Sequence, residues 1–213
     1  MGQLNVTNPF DGSPVGEVKF SPESDVDLAL NIAEKTHRNN RKGLPRHERV
    51  AILRRAAELM KGRADELALL IASEGGKPLI DAKVEVERAI DGVEICAADI
   101  ANNVGYEVPM DLTPAGNRKM AFTIKEPIGP VVAISAFNHP LNLIVHQVAP
   151  AVAAGNPVIV KPADDTPLSC KIFIDILHQA GLEPNWAQFI CCDVGAAQKL
   201  VTDERVAFFT FIG

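Results

Sequence analysis

Gly129-Pro130-Val131-Val132-Ala133-Ile134-Ser135-Ala136-Phe137-Asn138-His139-Pro140 is the stretch that decides the architecture of this chain. Residues 131–136 read as one continuous apolar strand, and Pro140 opens a helix that runs to residue 154 and stops at Gly155-Asn156. The same alternation repeats downstream. Residues 157–160 form a second strand and 167–180 a second helix, ended by Gly181. Residues 188–192 form a third strand, 196–201 a short helix and 206–211 a fourth strand. Strands that are apolar throughout and alternate with helices belong in a parallel sheet covered on both faces. The crossovers of such a sheet are expected to be right-handed. The fold class is therefore α/β.

Upstream of residue 129 the texture is helical. Asn8-Pro9-Phe10-Asp11-Gly12 and Ser13-Pro14 supply tight turns between short extended pieces. A first helix is expected from Ser24, read as its N-cap, with Val26, Leu30 and Ala33 on one side. A second starts near Pro45, read as a first-turn proline. Its apolar positions, Leu53, Ala57, Met60, Ala64, Leu67 and Ile71, alternate steps of three and four, and Gly75-Gly76-Lys77-Pro78 ends it. A third helix spans residues 79–102, burying Val86, Ile90, Val93, Ala97 and Ile100. Extended pieces near 106–108 and 119–125, separated by a segment with Pro114 and Gly116, read as a long hairpin leaving the main body. The expected division is an N-terminal helical part at 1–104, an arm at 105–128 and a parallel α/β core at 129–213.

Composition narrows the function classes. The chain has 213 residues, 47% hydrophobic and 23% charged, which suits an ordinary globular core. Its net charge of −6 and pI near 5.4 argue against a duplex-binding footprint, which needs a basic face. The most apolar stretch, 141–154, is too short to span a bilayer and carries His146 and Gln147. Residues 1–7 lack a charged segment followed by an apolar run, so no secretory leader is expected. Cys96, Cys170, Cys191 and Cys192 have no zinc-ligand spacing. The Cys191–Cys192 pair admits a redox reading, but its place in an apolar run, read as a buried strand, favours small core residues. No metal site is expected, and a reducing cytoplasm fits the set.

In a parallel sheet, ligands bind beyond the carboxyl ends of the strands. Two such ends carry polar side chains followed by proline. One is Ser135-Ala136-Phe137-Asn138-His139-Pro140, the other Lys161-Pro162-Ala163-Asp164-Asp165-Thr166-Pro167. The Lys161 stem can lie along apolar surface and offer its ammonium to a ligand oxygen. Asp164 can accept from sugar hydroxyls, and the Asn138 amide can donate to a developing oxyanion. On spacing alone the plainer alternatives stand beside these: an asparagine before a helix is often a cap, and a lysine at a strand end is often solvated. There is no G-x-G-x-x-G after the first strand and no G-x-x-x-x-G-K-[ST].

The full run of residues 129–140, then Ala149-Pro150-Ala151-Val152-Ala153-Ala154-Gly155-Asn156-Pro157-Val158-Ile159-Val160-Lys161-Pro162-Ala163, then Thr166-Pro167-Leu168-Ser169, closely resembles the aldehyde dehydrogenase superfamily. The likeness extends over the whole chain and includes Asn8-Pro9, the helix carrying Arg49, and Glu74-Gly75-Gly76-Lys77-Pro78. It implies the family's parallel sheet with helices on both faces, plus N-terminal helices and an oligomerisation hairpin. It also implies an enzyme that oxidises an aldehyde to a carboxylic acid with NAD, or alternatively NADP. Asn138 matches the family's oxyanion asparagine, and Lys161 the lysine that bonds the adenosine ribose. Ser135, Ala136 and Phe137 match the nicotinamide side, and Ala163 and Asp164 the ribose loop. Gly195 matches the glycine opening a short helix near the pyrophosphate. Gly213 matches the first glycine of the pyrophosphate turn, and residues 105–125 the arm that pairs subunits in a homodimer or homotetramer.

The sequence departs from the pattern in three places. His139 stands where phenylalanine is common, and Asp164 is one methylene shorter than the usual glutamate. The match stops at Gly213, before the family's nucleophilic cysteine and its glutamate base, so a chain truncated before the catalytic domain is expected. Arg88, on the helix that lines the family's substrate tunnel, and His139 suit a small, polar or anionic aldehyde of the phosphonoacetaldehyde, lactaldehyde or glyceraldehyde 3-phosphate type. The plainer alternative is a helix ion pair of Arg88 with Glu85 or Asp91, with His139 merely packed. A non-catalytic binding module of the same fold and a coenzyme A-acylating dehydrogenase remain the competing readings.

Overall fold

The computed structural model describes residues 2–41 and 43–213. Its centre is a sheet of β5 (Val131–Ile134), β6 (Val158–Lys161), β7 (Ala187–Phe189) and β8 (Phe208–Phe211). The strand order is β7-β6-β5-β8, and all three pairings are parallel. Ile134 lies opposite both Lys161 and Phe211, so the carboxyl ends of the three strands are flush. The chain steps outward from β5 to β6 to β7 and then returns to the far side of β5. That reversal puts a topological switch point at the end of β5, where a crevice is expected.

Alternation along each strand builds two cores. Val131, Ala133, Val158, Val160 and Ala187 face α2 (Arg46–Gly62), α3 (Ala64–Gly75), α4 (Leu79–Asp99), α5 (Asn142–Ala154) and α6 (Pro167–Gln179). Val132, Ile159 and Ile190 face the opposite way, onto α1 (Glu23–Asn39) and α7 (Val194–Thr202). Both faces are covered, which is why these strands are apolar throughout. An antiparallel pair, β1 (Gln3–Thr7) and β2 (Pro14–Lys19), packs near α3 and α6. Its turn meets the end of α3 closely: Gly76 has φ 65°, and a Cβ there would lie 2.8 Å from Pro9 Cγ. Only glycine satisfies both conditions.

The expected second helix is two helices. Arg63, at φ −120° and ψ 17°, separates α2 from α3. Its guanidinium forks onto Glu66 at 2.7 and 2.9 Å, and Asp65 and Glu66 favour a fresh N-terminus. A one-residue break leaves Met60, Leu67 and Ile71 all buried, so the apolar period does not register it. Ser24 is not the cap of α1. Pro22 is, with an extended backbone whose carbonyl accepts from Asp25 and Val26. Pro45 is likewise the N-cap of α2, not its first residue. The helix expected at 79–102 finishes as a 3-10 turn over Ile100–Asn102. Cys191 and Cys192 lie past the end of β7, fully buried.

Residues 105–125 contain a short antiparallel pair, β3 (Glu107–Val108) with β4 (Ala121–Phe122). Tyr106, Met120, Phe122 and Ile124 are exposed on it. Among the described residues no helix is long and apolar enough to cross a membrane.

Candidate functional site

The loop after β5 opens onto a cavity of about 550 Å³. Phe137, Asn138 and His139 form one wall; α4 forms the other with Asp81, Val84, Glu85 and Arg88. Those four α4 positions fall at helical spacing, so one face of α4 serves the cavity. Lys77, from the turn between α3 and α4, completes the polar lining. Asn138, His139 and Arg88 are thus brought together, as their sequence reading required. The Asn138 side chain is exposed and has no hydrogen bond to protein among the described residues, which leaves its amide free to donate.

Arg88 makes no ion pair among the described residues, so the expected alternative of a bond to Glu85 or Asp91 is not what the helix does. Glu85 is taken elsewhere. Its side chain is fully buried, and its Oε1 accepts from the backbone N–H of Leu141 at 2.9 Å and Asn142 at 3.1 Å. Its Oε2 pairs with Lys77 Nζ at 2.5 Å and lies 3.4 Å from His139 Nδ1. Lys77 Nζ is itself 2.9 Å from His139 Nδ1. His139 is therefore held by a charged pair and is not a merely packed ring. Sequence reasoning missed Glu85 and Lys77. The available signal was a carboxylate at position 85, inside the buried stripe of Ala82, Val86, Ala89 and Val93.

A second cavity of about 420 Å³ lies between β1 and the loop after β6, lined by Phe137, Asp164, Asp165, Thr166 and Glu74. Phe137, 61% exposed, borders both cavities. Lys161 is buried at the end of β6, its Nζ 2.8 Å from Asp164 Oδ1 and 3.0 Å from the Pro162 carbonyl. Asp164 thus spends one oxygen on Lys161 rather than standing free. Ala163, between them, is half-buried. Ser135 is buried, its N–H bonded to Lys161 O, and its Oγ has no partner. Ala136 is half-buried beside it. An unpartnered hydroxyl and a lysine–aspartate pair at one strand edge have the donor and acceptor chemistry that a nucleotide's sugar and amide groups need.

Gly195 and Gly213 line neither cavity, although both lie at the same edge of the sheet. Gly195 is in the first turn of α7, whose N-cap Asp193 accepts from Ala196 N–H at 2.7 Å. Gly213 follows Ile212, whose N–H bonds Ile134 O. Cys170 is wholly buried, and burial raises its thiol well above the ordinary value. Burial likewise pushes Cys96, Cys191 and Cys192 up to about 11. None lines the Asn138 cavity, so none of these thiols is placed or activated as a nucleophile there. No cluster of potential metal ligands occurs among the described residues.

The sequence and fold match known proteins. The model of the aldehyde dehydrogenase family fits residues 2–213. The chain belongs to the aldehyde dehydrogenase family. It is 35% identical over 213 residues to a 3-sulfolactaldehyde dehydrogenase of Priestia megaterium, covering 99% of this chain and 44% of that one. Aldehyde dehydrogenase 21 of Physcomitrella patens, solved with its product succinate, superposes with a TM-score of 0.93 at 33% identity, covering 99% and 44%. A glyceraldehyde-3-phosphate dehydrogenase of Methanocaldococcus jannaschii, solved with NADP, gives 0.89 at 30%, covering 98% and 45%. The chain therefore spans less than half the length of the relatives it matches. The α/β sheet with helices on both faces is the family's fold.

Proposed function

We propose that this chain is the cofactor-binding and oxyanion-holding part of a nicotinamide-dependent dehydrogenase that oxidises a short anionic aldehyde to its carboxylic acid. One observation carries the reading: the free amide of Asn138 shares its cavity with Arg88, Lys77 and His139. An amide donor beside unpaired positive charge suits a molecule with a carbonyl at one end and an anion at the other. Relatives that act on sulfolactaldehyde, yield succinate or bear the name of a phosphorylated aldehyde support that substrate class.

Asn138 would donate to the aldehyde oxygen as negative charge builds on it. Arg88 would fork onto the distant sulfonate, phosphate or carboxylate. Lys161 and Asp164 would hold the ribose hydroxyls. Ser135, Ala136 and Phe137 would lie against the nicotinamide, and Ala163, Gly195 and Gly213 would flank the rest of the dinucleotide. The nicotinamide, when bound, supplies the two-electron acceptor. Asp164 would favour NAD through the carboxylate oxygen not bonded to Lys161, which opposes an added 2′-phosphate. No cysteine lines the Asn138 cavity, so the thiolate and the base that releases the acid would come from outside this segment. Residues 129–213 would be the nucleotide-binding core, 1–104 its helical cover, and 105–128 an arm that joins subunits through Tyr106, Met120 and Phe122.

Two measurements test the reading in the protein that carries the complete catalytic set. Asn138→Ala should lower kcat by roughly 10²–10³, the usual loss for one oxyanion donor. Across a panel of aldehydes, Arg88→Ala should reduce kcat/KM for anionic members far more than for neutral ones of the same length. An equal loss for both classes removes the anion site. An unchanged kcat in Asn138→Ala removes the oxyanion role. The 213-residue chain alone should turn over no aldehyde, and any turnover would refute the reading of its cysteines.

A further inference from the structure

His139 sits beside two groups that would place its proton in opposite positions. Glu85 Oε2, 3.4 Å from Nδ1, would accept from a proton on that nitrogen, leaving Nε2 a bare acceptor. Lys77 Nζ is closer, at 2.9 Å. An ammonium has only donors, so a bond to Nδ1 requires a lone pair on that nitrogen. The ring's single proton then lies on Nε2, which has no hydrogen-bond partner among the described residues.

We propose that Lys77, anchored on the buried Glu85, turns what would be a carboxylate–histidine dyad into a hydrogen-bond donor, so that His139 presents an Nε2–H to the aldehyde's anionic group. Lys77 and Glu85 are positioning residues; His139 is the specificity-determining residue they set. The idea rests on the proposed aldehyde site and deepens it. Glu85 is suited to the task because its other oxygen is fixed by two backbone donors at the start of α5, the helix that follows Asn138 and His139. Its carboxylate cannot swing away without leaving those N–H groups unpaired in the interior. The Lys77 side chain is 15% exposed, so the pair is shielded from bulk screening. The other charged groups facing this cavity are Asp81 and Arg88, both from α4. With Arg88 the neutral Nε2–H makes a two-point clamp of one charge and one directed bond. A doubly protonated or Nδ1-protonated ring would make a different site: the first adds a second charge, the second removes the donor.

The test is nitrogen NMR on the ¹⁵N-histidine-labelled protein near pH 8. The His139 signals are assigned by their loss in His139→Gln. The expected wild-type result is a protonated Nε2 and an unprotonated Nδ1. In Lys77→Met, Glu85 is left alone beside Nδ1, and the proton should move there. Should Lys77→Met not fold, the wild-type spectrum still decides: a protonated Nδ1 overturns the proposal. Kinetics give the second arm. Lys77→Met should raise KM for an anionic aldehyde at least about tenfold with kcat nearly kept, the loss of one hydrogen bond to a charged group. Lys77→Arg, which keeps a donor, should recover most of it. A fall in kcat with KM unchanged, or no recovery by arginine, refutes the positioning role. The NMR result stands whether or not aldehydes are substrates. Failure of the aldehyde panel would therefore sink the proposed function and the anion contact of His139 with it, leaving the tautomer set by Lys77 to the NMR; a proton on Nδ1 would sink this inference alone.

Discussion

Glu85 and Glu74 each place a buried carboxylate against the first turn of a helix that follows a sheet strand, but their surroundings differ. Glu74 accepts from the N–H groups of Leu168 and Ser169, both at 2.8 Å, and from the Ser169 hydroxyl, at the start of α6. No cation pairs with it among the described residues. Glu85 does the same for α5 and also carries Lys77 and His139. Neither helix has a side-chain cap of its own. Both are capped from α3 or α4 across the core, which ties the two strand ends to the helical layer. Both carboxylates border a cavity, so the difference lies in the cation: one cap stands without an ion pair and the other holds a lysine and a histidine. Glu74 finishes a helix; Glu85 finishes a helix and also sets the charge of the pocket wall.

Removing the carboxylates is the strongest way to break this comparison. Glu85→Ala should destabilise by about 3–5 kcal/mol, since it leaves the largely shielded Lys77 without its partner and α5 without its cap. Glu74→Ala should cost less, about 1–3 kcal/mol, the penalty for buried donors left unpaired with no stranded charge. Urea unfolding of the two variants measures the gap. Equal losses would mean the Lys77 pairing adds nothing to the cap.

A gentler probe is pH. Burial holds the Glu74 carboxyl above its ordinary 4.5, outweighing the bonds from Ser169 and Leu168 that act the other way. A group whose folded value is raised binds its proton more tightly when folded. Its contribution is therefore full below 4.5 and is lost as pH rises through the folded value. The stability of wild type relative to Glu74→Gln should fall as pH is raised from about 4 toward neutrality. A flat difference would show that the three donors cancel the cost of burial. Asp203 offers the opposite sign. The Arg205 guanidinium holds it at about 2, so its contribution is present above the ordinary 3.8 and disappears as pH falls toward 2.

The smallest effect belongs to α7, which is capped locally. Asp193→Ala removes one bond to Ala196 N–H and should cost about 1 kcal/mol. A loss as large as that of Glu74→Ala would erase the distinction between a cap supplied by the adjoining residue and one supplied across the core.

Much of this was legible in the residues. The apolar runs around Val132 and Ile159 and the stops at Gly155 and Gly181 set the alternation of strand and helix, because a doubly covered strand has no polar face to show. Asn138, Arg88 and His139 were legible as candidates, and the cavity collects them. The break at Arg63 was not legible, since a one-residue interruption leaves the apolar stripe in phase. Nor was the Lys161–Asp164 pair, because the sequence shows that Asp164 follows a strand but not where its carboxylate turns. Lys77 was read as part of a helix end and, with Glu74, as part of the family resemblance, with no role given to either side chain.

The sequence by itself determined the parallel sheet, the family and the strand ends proposed to carry the chemistry. Those properties follow from local pattern: periodicity, proline and glycine punctuation, and the order of motifs. Only the tertiary structure decided which carboxylate caps which helix, where Lys77 lies, and that Arg88 stands without a partner. Each depends on side chains distant in sequence meeting where water is excluded. There a buried donor must find an acceptor, and the acceptor it finds is set by packing.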